Sequence, residues 1–361
     1  MINEYREEIN KIRKDKLKQF VANPLFGFII LVSALVVVQL LYMYTDDIIS
    51  LTVSKAIAQT LIYAIVGMGF SILLGYAGLA SLGTAGFIGL GSYIAGNMLK
   101  LIPIPLPYIL TIAAVVIIGI VLGGIVGFIS LRIEGMYLAI ITLGLSEILL
   151  ELFKTPNQFT GGASGLKSVP WVKLGMFYEM DREKMFFLIL AVLFIMIVLT
   201  INIINSPTGR AMLAMKNSSS AAQAMGISIL KYRLLAFILS TIYAMIGGAL
   251  YVTYLRASNT SSWTLALSLN VLAAVIIGGS RSIWGVIMGT FVIFGLDLAV
   301  LKNIAFFNKY PGSSAIFSGV LIVLIVMFYP GGLIRLFTDI KIKLKVLITK
   351  WKVYRYGKDY K

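Results

Sequence analysis

The sequence predicts an all-α, polytopic membrane protein of about ten transmembrane helices, and three observations carry that reading. The first is composition: 59% of the residues are hydrophobic and 13% charged, where soluble domains carry about half and about a quarter. The second is the recurrence, along the whole chain, of uncharged runs about twenty residues long, enough to cross about 30 Å of hydrocarbon. The third is where the charge sits. Much of the net +16 lies in segments 1–24, 205–234 and 335–361, which hold six, four and nine Lys or Arg against four, zero and two acids. Cations clustered in this way mark the cytoplasmic face of a membrane protein, so the basic balance reports topology and argues against nucleic-acid binding.

Uncharged runs and their breaks place spans near 25–45, 53–74, 76–98, 108–131, 137–153, 185–204, 235–255, 265–278, 283–301 and 313–329. Both basic termini belong in the cytoplasm, which requires an even number of spans. Ten meets that requirement and also leaves segment 205–234 inside. The chain then divides into a charged tail over 1–24, one membrane domain over 25–334 and a basic tail over 335–361. In the first tail Ile2, Tyr5, Ile9, Ile12 and Phe20 recur roughly at helical spacing, which fits either a helix lying on the inner surface or a solvated tail. Residues 1–24 are too charged, and the run after them too long, for a cleaved signal, so 25–45 is expected to remain as the first span.

Cysteine and histidine are both absent. That removes thiolate nucleophiles, disulfides and His proton relays, and leaves carboxylates alone for any metal. No cofactor is expected. No G-x-x-x-x-G-K-[ST] phosphate loop occurs, so any ATP-driven role needs a separate ATPase.

Three spans are irregular: 76–98 is dense in Gly and Ser, while 137–153 and 265–278 are short. Broken segments are tolerated at membrane depth only where they are packed in protein or line a cavity, and in transporters they mark the substrate path. The run GYAGLASLGTAGFIGLGSYIAG, residues 75–96, serves either helix packing through its glycines or a pathway with exposed backbone and hydroxyls. In RIEGMYLAIITLGLSEILLELFKTPNQFTGGASGL, residues 132–166, Glu147 lies within the span. An intramembrane carboxylate is a functional candidate, and holding backbone donors beside the broken helix is the structural alternative. From these segments the candidate substrate path comprises Ser81, Gly83, Thr84, Gly86, Phe87, Tyr137, Thr142 and Glu147.

The inner stretch SPTGRAMLAMKNSSSAAQAMGISILKYRLL, residues 206–235, opens on a helix-start signal at Ser206 and Pro207 and has a helix stop at Gly226. Between them lie one or two short helices, too polar to cross and too apolar to remain solvated. Such an element calls for a partner groove. Its candidate contact residues are Arg210, Lys216, Ala221, Ala222 and Gly226. A basic loop obeying the charge rule would account for Arg210 and Lys216 but not for the alanines.

From about 53 to 334 the chain resembles the permease family of bacterial ABC importers for branched-chain amino acids, of the LivM type. The likeness rests on GYAGLASLGTAGFIGLGSY, EGMYLAIITLGLSEI with TGGASGL, SPTGRAMLAMKNSSSAAQAMGI, IIGGSRSIWG and YPGGLI, in that order. The resemblance implies an importer in the bacterial plasma membrane, built from this permease, a second homologous permease, two ATP-binding subunits and an extracytoplasmic solute-binding protein. It implies that 206–226 is the coupling element for the ATPase. Two departures stand out: NSSS at 217–220, where the family usually carries charge, and Arg281, where it usually has glycine. Urea or short amides are the alternative substrates within this reading. An ion-coupled secondary transporter would need more buried ionisable groups than Glu147, and a membrane enzyme would need a nucleophile or acid–base constellation that is not evident.

Overall fold

Runs of apolar residues that must satisfy their own backbone in hydrocarbon become helices, since a helix closes every interior N–H on a C=O of the same segment. The computed structural model describes residues 24–44, 51–101, 108–130, 137–155, 159–174, 178–296 and parts of 316–339. Its helices are α1 Pro24–Tyr44, α2 Leu51–Ser71, α3 Thr84–Leu101, α4 Tyr108–Ser130, α5 Tyr137–Lys154, α6 Arg182–Asn205, α7 Pro207–Asn217, α8 Ser219–Ala224, α9 Ile229–Leu255, α10 Leu265–Gly278 and α11 Ile283–Thr290. Single π-helical turns, Ile72–Tyr76 and Phe291–Gly295, extend α2 and α11. Five helices (α1, α2 with its extension, α4, α6 and α9) are long and apolar enough to cross a membrane, and α10 and α11 are shorter apolar helices. The span expected at 313–329 and the tails expected at 1–24 and 335–361 lie largely outside the described residues.

The centre of the fold is α9, packed along α3, α4 and α2. Close approach of α3 and α9 depends on glycine: a Cβ on Gly248 would collide with the Ile88 carbonyl, and one on Gly91 with the Met245 backbone. Small residues of this kind replace the hydrophobic drive that is missing between helices in lipid. By contrast α1 and α4 expose Ile29, Ile30, Val37, Ile109, Ile117 and Ile125, as surfaces facing acyl chains do.

The structure revises several boundaries. The span expected over 76–98 begins as a helix only at Thr84, because 77–83 is non-helical: Gly78 takes a φ of 73° and the Leu79 N–H turns back to the Leu73 carbonyl at 3.0 Å. Between the spans expected at 137–153 and 185–204 lies a two-stranded antiparallel ribbon, β1 Val172–Leu174 with β2 Tyr178–Met180. Beside it the Arg256 guanidinium lies 4.4 Å over the Trp171 ring and its Nε donates to the Val169 carbonyl at 2.8 Å. That pins the end of α9 to this loop.

Gly248→Val is expected to cost about 1–3 kcal/mol or more, as overpacking does. Gly124→Val should be near neutral, because a Cβ added there would have its nearest neighbour 4.0 Å away. Thermal unfolding of the two variants in detergent measures the difference.

Candidate functional site

A helical hairpin whose turn is tucked into the protein must satisfy the N–H and C=O groups that its helices leave open. The turn between α2 and α3 does so on both sides. On the carbonyl side, Ile72 accepts from the Ala77 N–H at 3.1 Å and Leu73 from the Leu79 N–H at 3.0 Å. Leu74 and Gly75 accept from the Lys216 Nζ at 2.9 and 2.8 Å, and Gly75 also from the Arg281 Nε at 3.4 Å. On the N–H side, Leu82 donates to the Thr142 Oγ1 at 3.0 Å, Gly83 to the Ser81 Oγ at 3.3 Å and Ala85 to the Ser268 Oγ at 2.9 Å. Hydroxyls from α5 and α10 thus hold the start of α3.

Between this turn, α3 and α9 lies a cavity of about 10 Å³ lined by Leu73, Ser81, Thr84, Phe87, Phe237, Ser240, Thr241 and Ala244. Its size suits one water molecule. Any larger solute requires α3 and α9 to separate here. Phe87 closes one wall edge-on to Phe237, with ring centroids 6.0 Å apart. The cavity unites Ser81, Thr84 and Phe87 from the sequence with Ser240 and Thr241, which sequence reasoning missed. The signal available for that pair was two adjacent hydroxyls inside an otherwise apolar span.

The remaining path candidates stand elsewhere. Gly83 and Gly86 face α5: a Cβ on Gly83 would lie 2.7 Å from the Thr142 carbonyl, and one on Gly86 2.9 Å from Leu149 Cδ1. Thr142 is fully buried and spends its own proton on the Leu138 and Ala139 carbonyls. Tyr137 and Glu147 occupy the opposite, exposed face of α5 together with Ile140 and Ile148, and a Cβ on Gly144 there would meet nothing within 4 Å. Against lipid a charged carboxylate within a span costs about 3 kcal/mol, while Ile140 and Ile148 on the same face are apolar.

Segment 206–226 forms two helices, each capped by a serine. The Ser206 Oγ accepts from Gly209 and the Ser218 Oγ from Ala221. Met212 and Met215 are buried and anchor α7, and Ala222 anchors α8. Outward stand Arg210, Ala221, Gln223 and Met225, the last 83% exposed. Gly226 ends the segment at a φ of 80° with open space around it. Lys216 is half-buried and turned towards the α2 end. Burial holds its pKa below the usual lysine value, and the Arg281 charge pushes the same way.

A helical body with five membrane-length apolar helices packed around a small hydroxyl-lined cavity is that of a multi-pass membrane protein, and its sequence places it among permeases. The chain belongs to the branched-chain amino acid transport system permease component family, whose pattern matches residues 52–326. It is 30% identical over 311 residues to the high-affinity branched-chain amino acid transport permease LivM of Salmonella typhimurium, covering 80% of this chain and 71% of that one. LivM of Escherichia coli is equally similar, 30% over 79% and 70% of the two chains. The ribose import permease RbsC of Haemophilus influenzae is 24% identical over 75% and 83%. No solved structure matches.

Thr142→Val keeps the shape but strands the Leu82 N–H, and is expected to lower stability by about 1–3 kcal/mol. Thr111→Val is the control, because the buried Thr111 hydroxyl has no hydrogen-bond partner among the described residues, and it should be neutral or stabilising in the same melting assay.

Proposed function

We propose that the chain is the permease subunit of an ABC importer that moves leucine, isoleucine and valine into the cytoplasm, with separate ATP-binding subunits supplying the energy. The observation that carries this reading is the inner helix pair: α7 is rooted in the body by Met212 and Met215, while α8 offers Ala221, Gln223 and an exposed Met225 to a groove on another protein. In the proposed topology this pair and both basic tails face the cytoplasm, and the ribbon-bearing segment 159–181 faces the solute-binding protein outside.

The proposed cycle follows from the closure. ATP-driven movement of the docked pair shifts the end of α2 and the turn that follows it, which opens the space between α3 and α9 where Ser81, Thr84, Ser240 and Thr241 meet. Branched side chains pass Phe87 and Phe237, and the hydroxyls bind the ammonium and carboxylate. A second homologous permease completes the pore against the exposed face of α5, where Glu147 meets polar groups rather than lipid. The likeness to a ribose permease favours a sugar as the second reading, because the same hydroxyl lining would suit it.

The reading is tested by expressing the chain with its ATP-binding subunits and receptor. The wild type should retain the ATPases on purification, while Met225→Asp with Ala221→Asp should lose them and still insert into the membrane. Sodium- or proton-driven uptake by this chain alone would overturn it. On the receptor, tight binding of leucine, isoleucine or valine but not ribose or urea is the expected selectivity.

A further inference from the structure

The carbonyl end of a helix is ordinarily closed by its own next residues, through a glycine turn or a nearby cation. In α2 the first two open carbonyls follow that rule, with Ala77 and Leu79 as donors. The next two do not. Their donor is Lys216, about 140 residues away and carried by α7, the helix whose continuation forms the docking face. The Lys216 side chain reaches them by lying along Gly78, where an added Cβ would stand 3.0 Å from its Cγ. A second break joins the same point: Arg281 reaches the Gly75 carbonyl, the Tyr76 hydroxyl donates to the Arg281 carbonyl at 3.0 Å, and the Ser71 hydroxyl donates to the Ser280 carbonyl at 3.0 Å. Leu73, next to the tied carbonyls, and Ser81, at the far end of the same turn, both line the cavity.

We infer that Lys216, assisted by Arg281, is a positioning residue that tethers the coupling pair to the carbonyl end of α2, so that displacement of α7 is delivered to the turn that closes the cavity. The inference rests on the importer reading and refines the role of Lys216 within it. Lys216 transmits force inside the permease, while Arg210, Ala221, Gln223 and Met225 face the motor. A lysine that merely finished a helix end would be replaceable by any local donor. This one is supplied by the element that must move, and its two bonds join α7 directly to the α2 end.

The test uses the full complex in proteoliposomes, scored as solute imported per ATP hydrolysed. A wild type without ATP-dependent import would refute the importer reading and leave the tether unsupported with it. With wild-type import established, Lys216→Met should keep its ATPase subunits and its hydrolysis but lose at least tenfold in import per ATP. Lys216→Arg should recover most of that loss, and Arg281→Gly should lose only two- to threefold. Loss of the ATPase subunits in Lys216→Met, or an unchanged ratio, would overturn the tether. A second variant exploits the cysteine-free chain. A Cβ on Gly78 would lie 3.5 Å from the Lys216 Cβ, which is disulfide range. Gly78→Cys with Lys216→Cys should couple when oxidised and uncouple when reduced. Equal coupling in both states would contradict the inference.

Discussion

The structure depends on how one turn, residues 77–83, satisfies the backbone it leaves open. Two buried helices meet there, α2 ending and α3 beginning, and neither can leave a polar backbone group unpaired without a cost of about 1–3 kcal/mol for each. The solution draws on distant parts of the chain: Thr142 from α5, Ser268 from α10 and Lys216 from α7. A purely local solution would have produced a rigid hairpin. The distributed one makes the turn sensitive to any of the three helices that hold it.

That sensitivity links the cavity to α7. Ser81 and Thr84 line the closure because the turn places them there, and the turn holds its position partly through Lys216. The glycines nearby serve a different end. Gly83 and Gly86 bring α3 against α5, and Gly91 with Gly248 brings it against α9, so that the hydroxyls converge on a space no larger than a water molecule. Tight packing around a minimal cavity is what a closed gate needs. On the proposed path, opening this space to a solute calls for displacement of α3 from α9, which a motor-driven transporter supplies.

Much of this was legible in the sequence, and what was not has identifiable physical causes. Hydrophobic run length placed most of the described helices to within a few residues. There are two exceptions: α3 starts at Thr84 rather than 76, because 77–83 is non-helical, and α9 starts at Ile229 rather than 235, because Lys231 and Arg233 interrupt the apolar run while the helix continues through them. The capped pair at 206–226 followed from Ser206, Pro207 and Gly226, whose conformational demands are local. The partners of small residues are not local. Glycine density at 75–96 signals close approach but does not say to what, and only the folded chain shows that Gly83 and Gly86 face α5. Likewise the sequence set Lys216 among the contacts for a partner groove, and only the folded chain shows it turned inward, about 140 residues from its acceptors. Ser240 and Thr241 were hidden by the apolar span around them.

The central claim is that α7 and α8 stand on the cytoplasmic side, free to be gripped by a motor this chain does not carry. A single cysteine at Met225, the only thiol in a chain that otherwise has none, tests it with a membrane-impermeant maleimide. The account predicts labelling in inside-out vesicles stripped of ATP-binding subunits, protection when those subunits are restored, and no labelling of intact cells. Labelling of intact cells from the outside would contradict it.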